Sequence, residues 1–535
     1  MRFTFASGLR AGLLAGCWLC LPAITPCVGA GVTLITHGFQ LNSSYPSWVT
    51  AMSDAIPAYD LFPGTNFTTY RIVVTYSAGS YVFTTTRVNG NSPAATDSGE
   101  ILVELDWSQL SGNVLNSYAS TYRVAAALSQ ALVATNLISE LGGHALVELP
   151  LHLIGHSRGG SLVSELSRDL GTNGLWVDQV TTLDPYPLNN DGHADLATYS
   201  DAPARYTYVN VLFADNYWQD LGAGTLLGDP DGEAVSGAYV RQLTDLSGGY
   251  NNNHSNTHLW YHGTIDTNTP AGDGSALITS TERSSWWAAA EEQGVLAGFY
   301  YSRIGGGDWL SPDAPLGPGF PEILDGYNQN WDLGAGLSAN RTALPAHVSQ
   351  WPNLIRLDLT GTNVVTAGQN LSVQLYYQYG GAASNVTLQL ALDLDSNPFN
   401  GNETLVLQNA LANTGADSVD AVSFDVDTTG VEPGIYAIGG RVTDGGHTRY
   451  LYGPQLVQIL AASSSTMLSL VMLSPTAVFI EIDGPPGQGI VLQSSSDLQY
   501  WNPLATNILA SGRWVYTNVV SAPAIQQFYR AVIQP

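Results

Sequence analysis

Short apolar runs alternate with runs of helical period over the first 345 residues or so; beyond residue 350 the period becomes two. Gly31–Thr36, Ile101–Leu105 and Leu149–Ile154 read as buried strands, and Val177–Leu183 and Tyr206–Phe213 supply two more. Between the second and third strands, Val124, Leu128, Leu132, Leu137 and Leu141 fall near helical spacing and predict an amphipathic helix over Tyr122–Leu141. Strands separated by helical stretches predict an α/β region, residues 31–345, with a mainly parallel, doubly wound sheet. From about Asn353 the alternating segments Leu371–Tyr377, Val386–Leu390, Gly434–Gly439 and Arg449–Leu460, divided by Gly, Asn and Pro turns, predict an immunoglobulin-like β-sandwich over 350–460. Ala461–Thr466 has linker composition, and 467–535, with Trp501, Trp514, Phe528 and Tyr529, reads as a small C-terminal β module.

The first thirty residues follow a different pattern. Arg2 and Arg10 precede the apolar run Ala11–Ile24, and Val28-Gly29-Ala30 places small residues at a cleavage position. This predicts a secretory signal peptide, residues 1–30, and an extracellular or periplasmic, cell-surface destination. Leu14-Ala15-Gly16-Cys17 also fits a lipobox, a competing reading that the continuation of the apolar run past Cys17 disfavours. All three cysteines, Cys17, Cys20 and Cys27, lie in this segment, so the expected mature chain has no disulfide. The 535 residues carry 17 basic side chains, all arginine, against 44 acidic ones, a formal net charge of -27. Such an imbalance argues against nucleic acid and anionic membrane surfaces as partners. No other run is long enough to span a bilayer, so no integral membrane span is expected.

The candidate chemistry centres on Leu151-His-Leu-Ile-Gly155-His156-Ser157-Arg158-Gly159-Gly160, followed by the helical run Ser161–Leu170. A strand that enters G-x-S-x-G and leaves as a helix turns sharply, and the turn projects the serine hydroxyl at a helix N-terminus. A serine nucleophile needs a base, an acid that orients the base, and donors for the oxyanion. Asp184, where Pro185 stops a strand, is the preferred acid; Asp215, which also follows a predicted strand, is its competitor. His254, in an Asn-rich loop just before a helix, is the preferred base, and His258, one turn into that helix, is the alternative. The amide of Arg158 is one expected oxyanion donor, and Phe39, in the His37-Gly38-Phe39 loop after the first strand, is the other.

In this order the residues resemble the neutral lipase family that includes pancreatic and lipoprotein lipases. The resemblance runs through His37-Gly38-Phe39, Asp106-Trp107, Gly155–Gly159, Leu183-Asp184-Pro185 and His254 with the helix after it, about 230 residues in all. It implies an α/β-hydrolase fold, Asp184 rather than Asp215 as the acid, and hydrolysis of carboxylic esters, typically acylglycerols or phospholipids. Two departures stand out: Arg158 replaces the family's usual Leu or Met, and the disulfides that staple its lid are missing. The segment Asn216–Tyr250 is a candidate to cover the site, but without those disulfides the resemblance does not extend to an interfacial lid.

Other signals are read as structural. Asp393–Glu403 has the oxygen spacing of a Ca²⁺ loop but lacks the glycine placement of an EF-hand, so an Asx-rich turn is preferred over a structural Ca²⁺. Gly228–Glu233 reads as a turn, and Trp286 and Trp287 read as packing in preference to an acyl pocket. The ten histidines show no zinc spacing, and no cofactor is expected. The sequence therefore predicts a secreted serine hydrolase acting on a small-molecule or lipid ester, with surface or polymer binding as a role for the C-terminal modules. A polymer- or glycan-ester hydrolase, and a non-catalytic surface-binding protein on the same scaffold, are the alternatives.

Overall fold

The computed structural model describes residues 30–59, 67–188, 201–222, 228–265, 273, 276–286, 298–304, 341–345, 351–415, 419–461, 466–474, 476–519 and 526–534. The expected signal segment up to residue 29, with its three cysteines, lies outside the described residues, as does Trp287. Among the described residues no helix is long and apolar enough to cross a membrane.

The first region runs β1 (Val32–Thr36), α1 (Ser47–Tyr59), β2 (Thr68–Ser77), β3 (Ser80–Asn89), β4 (Ile101–Asp106), α2 (Ser108–Ser111) and α3 (Thr121–Leu132). It continues with β5 (Leu151–His156), α4 (Arg158–Thr172), β6 (Val177–Leu183), β7 (Val211–Trp218), β8 (Tyr239–Gln242), α5 (Asn253–Ile265) and α6 (Ser280–Trp286). The eight strands form one sheet in the order β3-β2-β4-β1-β5-β6-β7-β8, parallel except for the β2–β3 hairpin. Successive strand residues face opposite ways, so β1 sends Leu34 to one side and Ile35 to the other. Leu34 joins Val124 and Leu128 of α3 and Leu162 and Leu166 of α4, whereas Ile35 joins Val49 and Met52 of α1 and Leu259 of α5.

Two predicted elements shift. The helix expected to reach Leu141 stops at Leu132, since Val133, Thr135 and Asn136 are poor helix formers; Ser139–Leu141 is a separate 3₁₀ turn. The strand expected at Tyr206–Phe213 is β7, five residues further on, and it carries buried residues through Tyr217.

The sandwich strands are β9 (Asn353–Leu359), β10 (Val364–Thr366), β11 (Asn370–Gln378), β12 (Asn385–Asp393), β13 (Thr404–Ala412), β14 (Asp420–Asp427), β15 (Gly434–Thr443), β16 (Thr448–Tyr452) and β17 (Val457–Leu460). A six-stranded sheet, β10-β17-β15-β12-β13 with β16 on β15, faces the three-stranded β14-β11-β9. Leu371, Leu375, Leu388, Leu390 and Ile438 lie between them. The last six strands, β18 (Met467–Ser474), β19 (Ala477–Asp483), β20 (Gly489–Ser495), β21 (Asn502–Ile508), β22 (Arg513–Val519) and β23 (Phe528–Ile533), form two small sheets. Among the described residues they enclose a core of six buried hydrophobic residues, Ile480, Ile482 and Leu492 among them.

The α/β class expected from the alternating runs is corrected. Strand makes up 42% of the described residues and helix 19%, so the chain is mostly β. Fifteen of the twenty-three described strands, β9–β23, follow residue 350. Before it, the regular alternation of a doubly wound α/β-hydrolase sheet is not kept. Strands β2 and β3 are a hairpin, and among the described residues no helix separates β6, β7 and β8. Apolar runs bounded by turns look alike in parallel sheets and in hairpins, which is why the sequence pattern misled.

The Asp393–Glu403 segment serves as a joint. Asp393, Asp395 and Asn397 each accept the amide two residues on, in successive Asx turns. These turns push the Asn397 amide group into the first region, where it donates to the carbonyls of Pro93 (2.6 Å) and Thr96 (2.7 Å). Arg449 of β16 reaches across in the same way, to the Val147 carbonyl at 2.9 Å and Asp178 at 3.2 Å.

Candidate active site

Strand β5 ends at His156, and α4 begins at Arg158, so Ser157 makes the whole turn between them. Its φ of 58° and ψ of -128° lie outside the regions an L-residue ordinarily occupies, at a cost of about 1–3 kcal/mol. The turn closes because the glycines lack side chains. A Cβ on Gly155 would sit 2.2 Å from the Gly159 carbonyl oxygen, and one on Gly159 would sit 2.6 Å from that of His37. Three backbone bonds fix the serine: its N–H donates to Leu183 (2.9 Å), and its carbonyl accepts from Gly160 (2.9 Å) and Tyr186 (3.1 Å).

Asp184 follows the last residue of β6, with φ of 45°. Its carboxylate is buried and surrounded by donors: His254 Nδ1 at 2.6 Å, the Gln219 side-chain amide at 2.8 Å and the Gln219 backbone N–H at 2.9 Å. Burial pushes this carboxyl above its ordinary range, and the bonds from His254 and Gln219 oppose the rise. Because Nδ1 of His254 carries the donated proton, the neutral ring keeps its lone pair on Nε2.

His254 is the second residue of α5, and Asp229 holds the start of that helix. One Asp229 oxygen accepts the His254 N–H at 2.9 Å, and the other accepts the Asn253 side chain at 2.6 Å. A carboxylate here also suits the positive end of the helix dipole. The same loop supplies Gly232, where any Cβ would lie 2.1 Å from an Asp184 oxygen. The segment read as a mere turn, Gly228–Glu233, thus cradles the Asp184–His254 pair. Behind it, His156 donates from Nε2 to the His254 carbonyl at 2.8 Å, and its ring lies 4.6 Å from that of His254. Burial keeps His156 well below the ordinary histidine range, so it stays neutral.

Ser157 and His254 open on one cavity of about 330 Å³, which Gly38, Phe39, Trp48 and His258 also line. The backbone at Gly38 is pressed against the serine: a Cβ there would meet Ser157 Oγ at 2.7 Å and the Arg158 nitrogen at 3.0 Å. Phe39 is the next residue, and Arg158, first in α4, has no carbonyl of its own helix to receive its N–H. Trp107 pins this loop by donating to the His37 carbonyl at 2.7 Å.

The Arg158 side chain has a network of its own. It is buried, makes a bidentate pair with Asp201 (2.6 and 2.8 Å), and donates to the carbonyls of Ser111 and Ala119, each at 2.6 Å. Asp201 in turn accepts the amides of Thr121 (3.0 Å) and Leu188 (3.0 Å). A cross-link of this kind costs about 3–5 kcal/mol to break from one side. It ties the segments at Ser111, Ala119 and Asp201 to the start of α4 in a region without cysteine.

The two competing residues have other partners. Asp215 is inside β7, not after it; Thr181 and Gln179 donate to one of its oxygens at 2.5 and 3.1 Å, and burial pushes it up to about 7. His258 lines the same cavity as His254, but its ring is stacked on Trp48 at 4.2 Å and its Nδ1 lies 3.3 Å from Asp273. Trp286 packs in the core beside α5, donating to the Ser247 carbonyl at 3.0 Å. Gln219, Asp229 and Gly232 carry no sequence signal of their own. An acid's general need for donors points to a residue of Gln219's type, and nothing points to Asp229 or Gly232.

No family model and no curated protein matches this chain. Among solved structures it is similar to the CARDB domain of a Pyrococcus furiosus protein in complex with di-metal ions. That match has 13% identity and a TM-score of 0.15, over 21% of this chain and 96% of the other. It is also similar to the human OSCAR ligand-binding domain, at 16% identity and a TM-score of 0.15, over 34% of this chain and 93% of the other. Likenesses of that size carry no argument, and the reading of the site rests on its own geometry.

Proposed function

We propose that the chain is a serine hydrolase that cleaves carboxylic esters through an acyl-enzyme. The observation that carries this reading is the 2.6 Å bond between His254 Nδ1 and Asp184, on the cavity that also holds the strained Ser157. In this reading Ser157 Oγ attacks the ester carbonyl while His254 Nε2 takes its proton, and Asp184 holds the ring and stabilises the imidazolium. The amides of Phe39 and Arg158 receive the charge that develops on the carbonyl oxygen, each donor contributing about 10²–10³ in rate. The proton then passes to the departing alcohol, and water repeats the sequence to release the acid. The cavity sits at the lower end of ligand-pocket volumes, about 300–1,000 Å³, and Ser47, Asn252 and Ser255 on its wall favour a short or polar acyl group over a long chain. An extracellular place of action goes with this reading, on the strength of the N-terminal pattern from Arg2 to Ala30.

The test is direct. A fluorophosphonate probe is expected to label the folded protein at Ser157, and Ser157→Ala is expected to abolish both labelling and hydrolysis of p-nitrophenyl butyrate without changing the melting temperature. Labelling or turnover that survives Ser157→Ala removes the proposal.

A further inference from the structure

The outer face of the six-stranded sandwich sheet has a hollow built into its cross-strand register. Leu405 of β13, Ala391 of β12, Gly439 of β15 and Tyr452 of β16 stand side by side across four strands. The large residues are at the ends and the two small ones in the middle. On the neighbouring row Gln389, Arg441 and Tyr450 stand side by side, all large and polar. Side chains on one face of a sheet recur every second residue, so Ala391 and Gly439 form a floor with a wall of long side chains beside it. The result is a cavity of about 280 Å³, closed on its other side by Asp393 and rimmed by the exposed Glu403. Gly439 is a tight position, since a Cβ there would already meet the Tyr452 ring at 3.0 Å.

The polar groups of this cavity are fixed in place. Tyr452 donates its hydroxyl to Asp393 at 2.5 Å, and Arg441 donates from Nη1 to Gln389 at 2.9 Å, with its guanidinium 5.9 Å from the Tyr450 ring centre. Arg441 Nε is buried, and no group among the described residues accepts its proton. A buried donor without an acceptor is costly, and a ligand oxygen would satisfy it. We propose that this hollow binds a neutral sugar unit, with a ring face against the tyrosines, a hydroxyl accepting from Arg441 Nε, and other hydroxyls donating to Asp393 and Glu403.

The charges select that class. A single arginine opposed by two carboxyls disfavours an anion, on a chain that is itself strongly acidic. The arginine facing the same space disfavours a divalent cation. Burial also pushes Asp393 up to about 7, which weakens its hold on a cation at neutral pH. Mixed donors and acceptors beside aromatic rings match the alternating CH and OH faces of a pyranose. The first region packs against this sheet face right beside the hollow: Ala437 and Tyr452 join its core, and Tyr450 lies 6.1 Å from His144. A bound sugar would therefore sit beside the first region. The inference stands whether or not that region hydrolyses esters.

Isothermal titration of the full chain with cellohexaose, xylohexaose, mannohexaose and, separately, calcium chloride tests it. Saturable binding of at least one neutral oligosaccharide is expected. Ala391→Phe, which fills the floor, should weaken it by about tenfold or more. Arg441→Met, which removes the free donor and leaves the floor intact, should weaken it too, with p-nitrophenyl butyrate hydrolysis and melting temperature unchanged in both variants. The inference is overturned if no oligosaccharide binds, if both variants bind as the parent does, or if calcium alone binds and Asp393→Asn abolishes that binding.

Discussion

Asp184 and Asp215 belong to neighbouring strands of one sheet, are equally buried, and both have carboxyls that burial pushes above the ordinary range. They differ in what meets them. Asp184 has left its strand, at φ 45°, and three donors converge on it, one of them a histidine ring on the cavity. Asp215 stays within β7, and its donors are Thr181 and Gln179 of the adjacent strand, with one oxygen left buried and unpaired among the described residues. A raised carboxyl is therefore no mark of function by itself. The donor set around it distinguishes a carboxylate paired with a histidine on a cavity from one tied into the sheet.

The largest expected effect breaks or keeps this contrast. Asp184→Asn should lower kcat/KM for p-nitrophenyl butyrate by about 10³–10⁴, because the amide would favour the wrong tautomer of His254. Asp215→Asn should change it by less than about threefold, as expected for a position away from the reacting atoms. The two histidines extend the comparison: His254→Ala should cost about 10²–10⁴ and His258→Ala less than about tenfold. Equal losses at the two aspartates, or a larger loss at His258, would mean that the site has been assigned to the wrong pair.

The sequence made part of this contrast visible. Pro185 marks the strand end beside Asp184, and the glycines at 155, 159 and 160 mark the sharp turn at Ser157, because backbone constraints are written in residue type. The end of β7 is unmarked. The apolar run Val209–Phe213 passes into Ala214-Asp215-Asn216-Tyr217 without a breaker, and pairing with β6 and β8 carries the strand on. Cross-strand pairing of that kind overrides local pattern. The supports of the acid–base pair were invisible for a related reason. Gln219, Asp229 and Gly232 meet Asp184 and His254 only through loop contacts between distant segments, and no periodicity encodes those. The Asp393–Glu403 turn was readable as Asx turns, since those bonds span two residues; its docking onto Pro93 and Thr96 was not.

A smaller effect sharpens what the donors do. Gln219→Ala removes the side-chain bond to Asp184 and leaves the backbone one, and a hydrogen bond to a charged group contributes about 1.5–3 kcal/mol. Turnover should fall by about tenfold to a hundredfold with KM unchanged. Gln219 positions the acid and does not touch substrate, so the number of sites titrated by a fluorophosphonate should stay at one per chain while turnover per titrated site drops. A fall in titratable sites that accounts for all the lost activity would show that Gln219 serves folding alone.

The smallest effect concerns stability and belongs to Asp215. Its carboxyl lies at about 7 in the folded chain against an ordinary value of 3.8. Between those values the folded state holds more protons than the unfolded one, so stability falls as pH rises. The contribution is fully present below about 3.8 and is lost as pH passes through about 7. A side-chain amide does not titrate, so Asp215→Asn carries a constant cost from its changed hydrogen bonding and no slope. Urea unfolding at pH 4.5 and pH 8 should therefore show the variant gaining on the parent as pH rises, by about 3 kcal/mol. The constant cost cancels in that difference, which isolates the ionisation. Asp184→Asn supplies the contrast. The bonds from His254 and Gln219 to the ionised carboxylate oppose the rise at that position, so the pH-dependent gain should be smaller there. A gain as large at Asp184 as at Asp215, or no dependence on pH at Asp215, would mean that the two carboxyls do not differ in the way their donors imply.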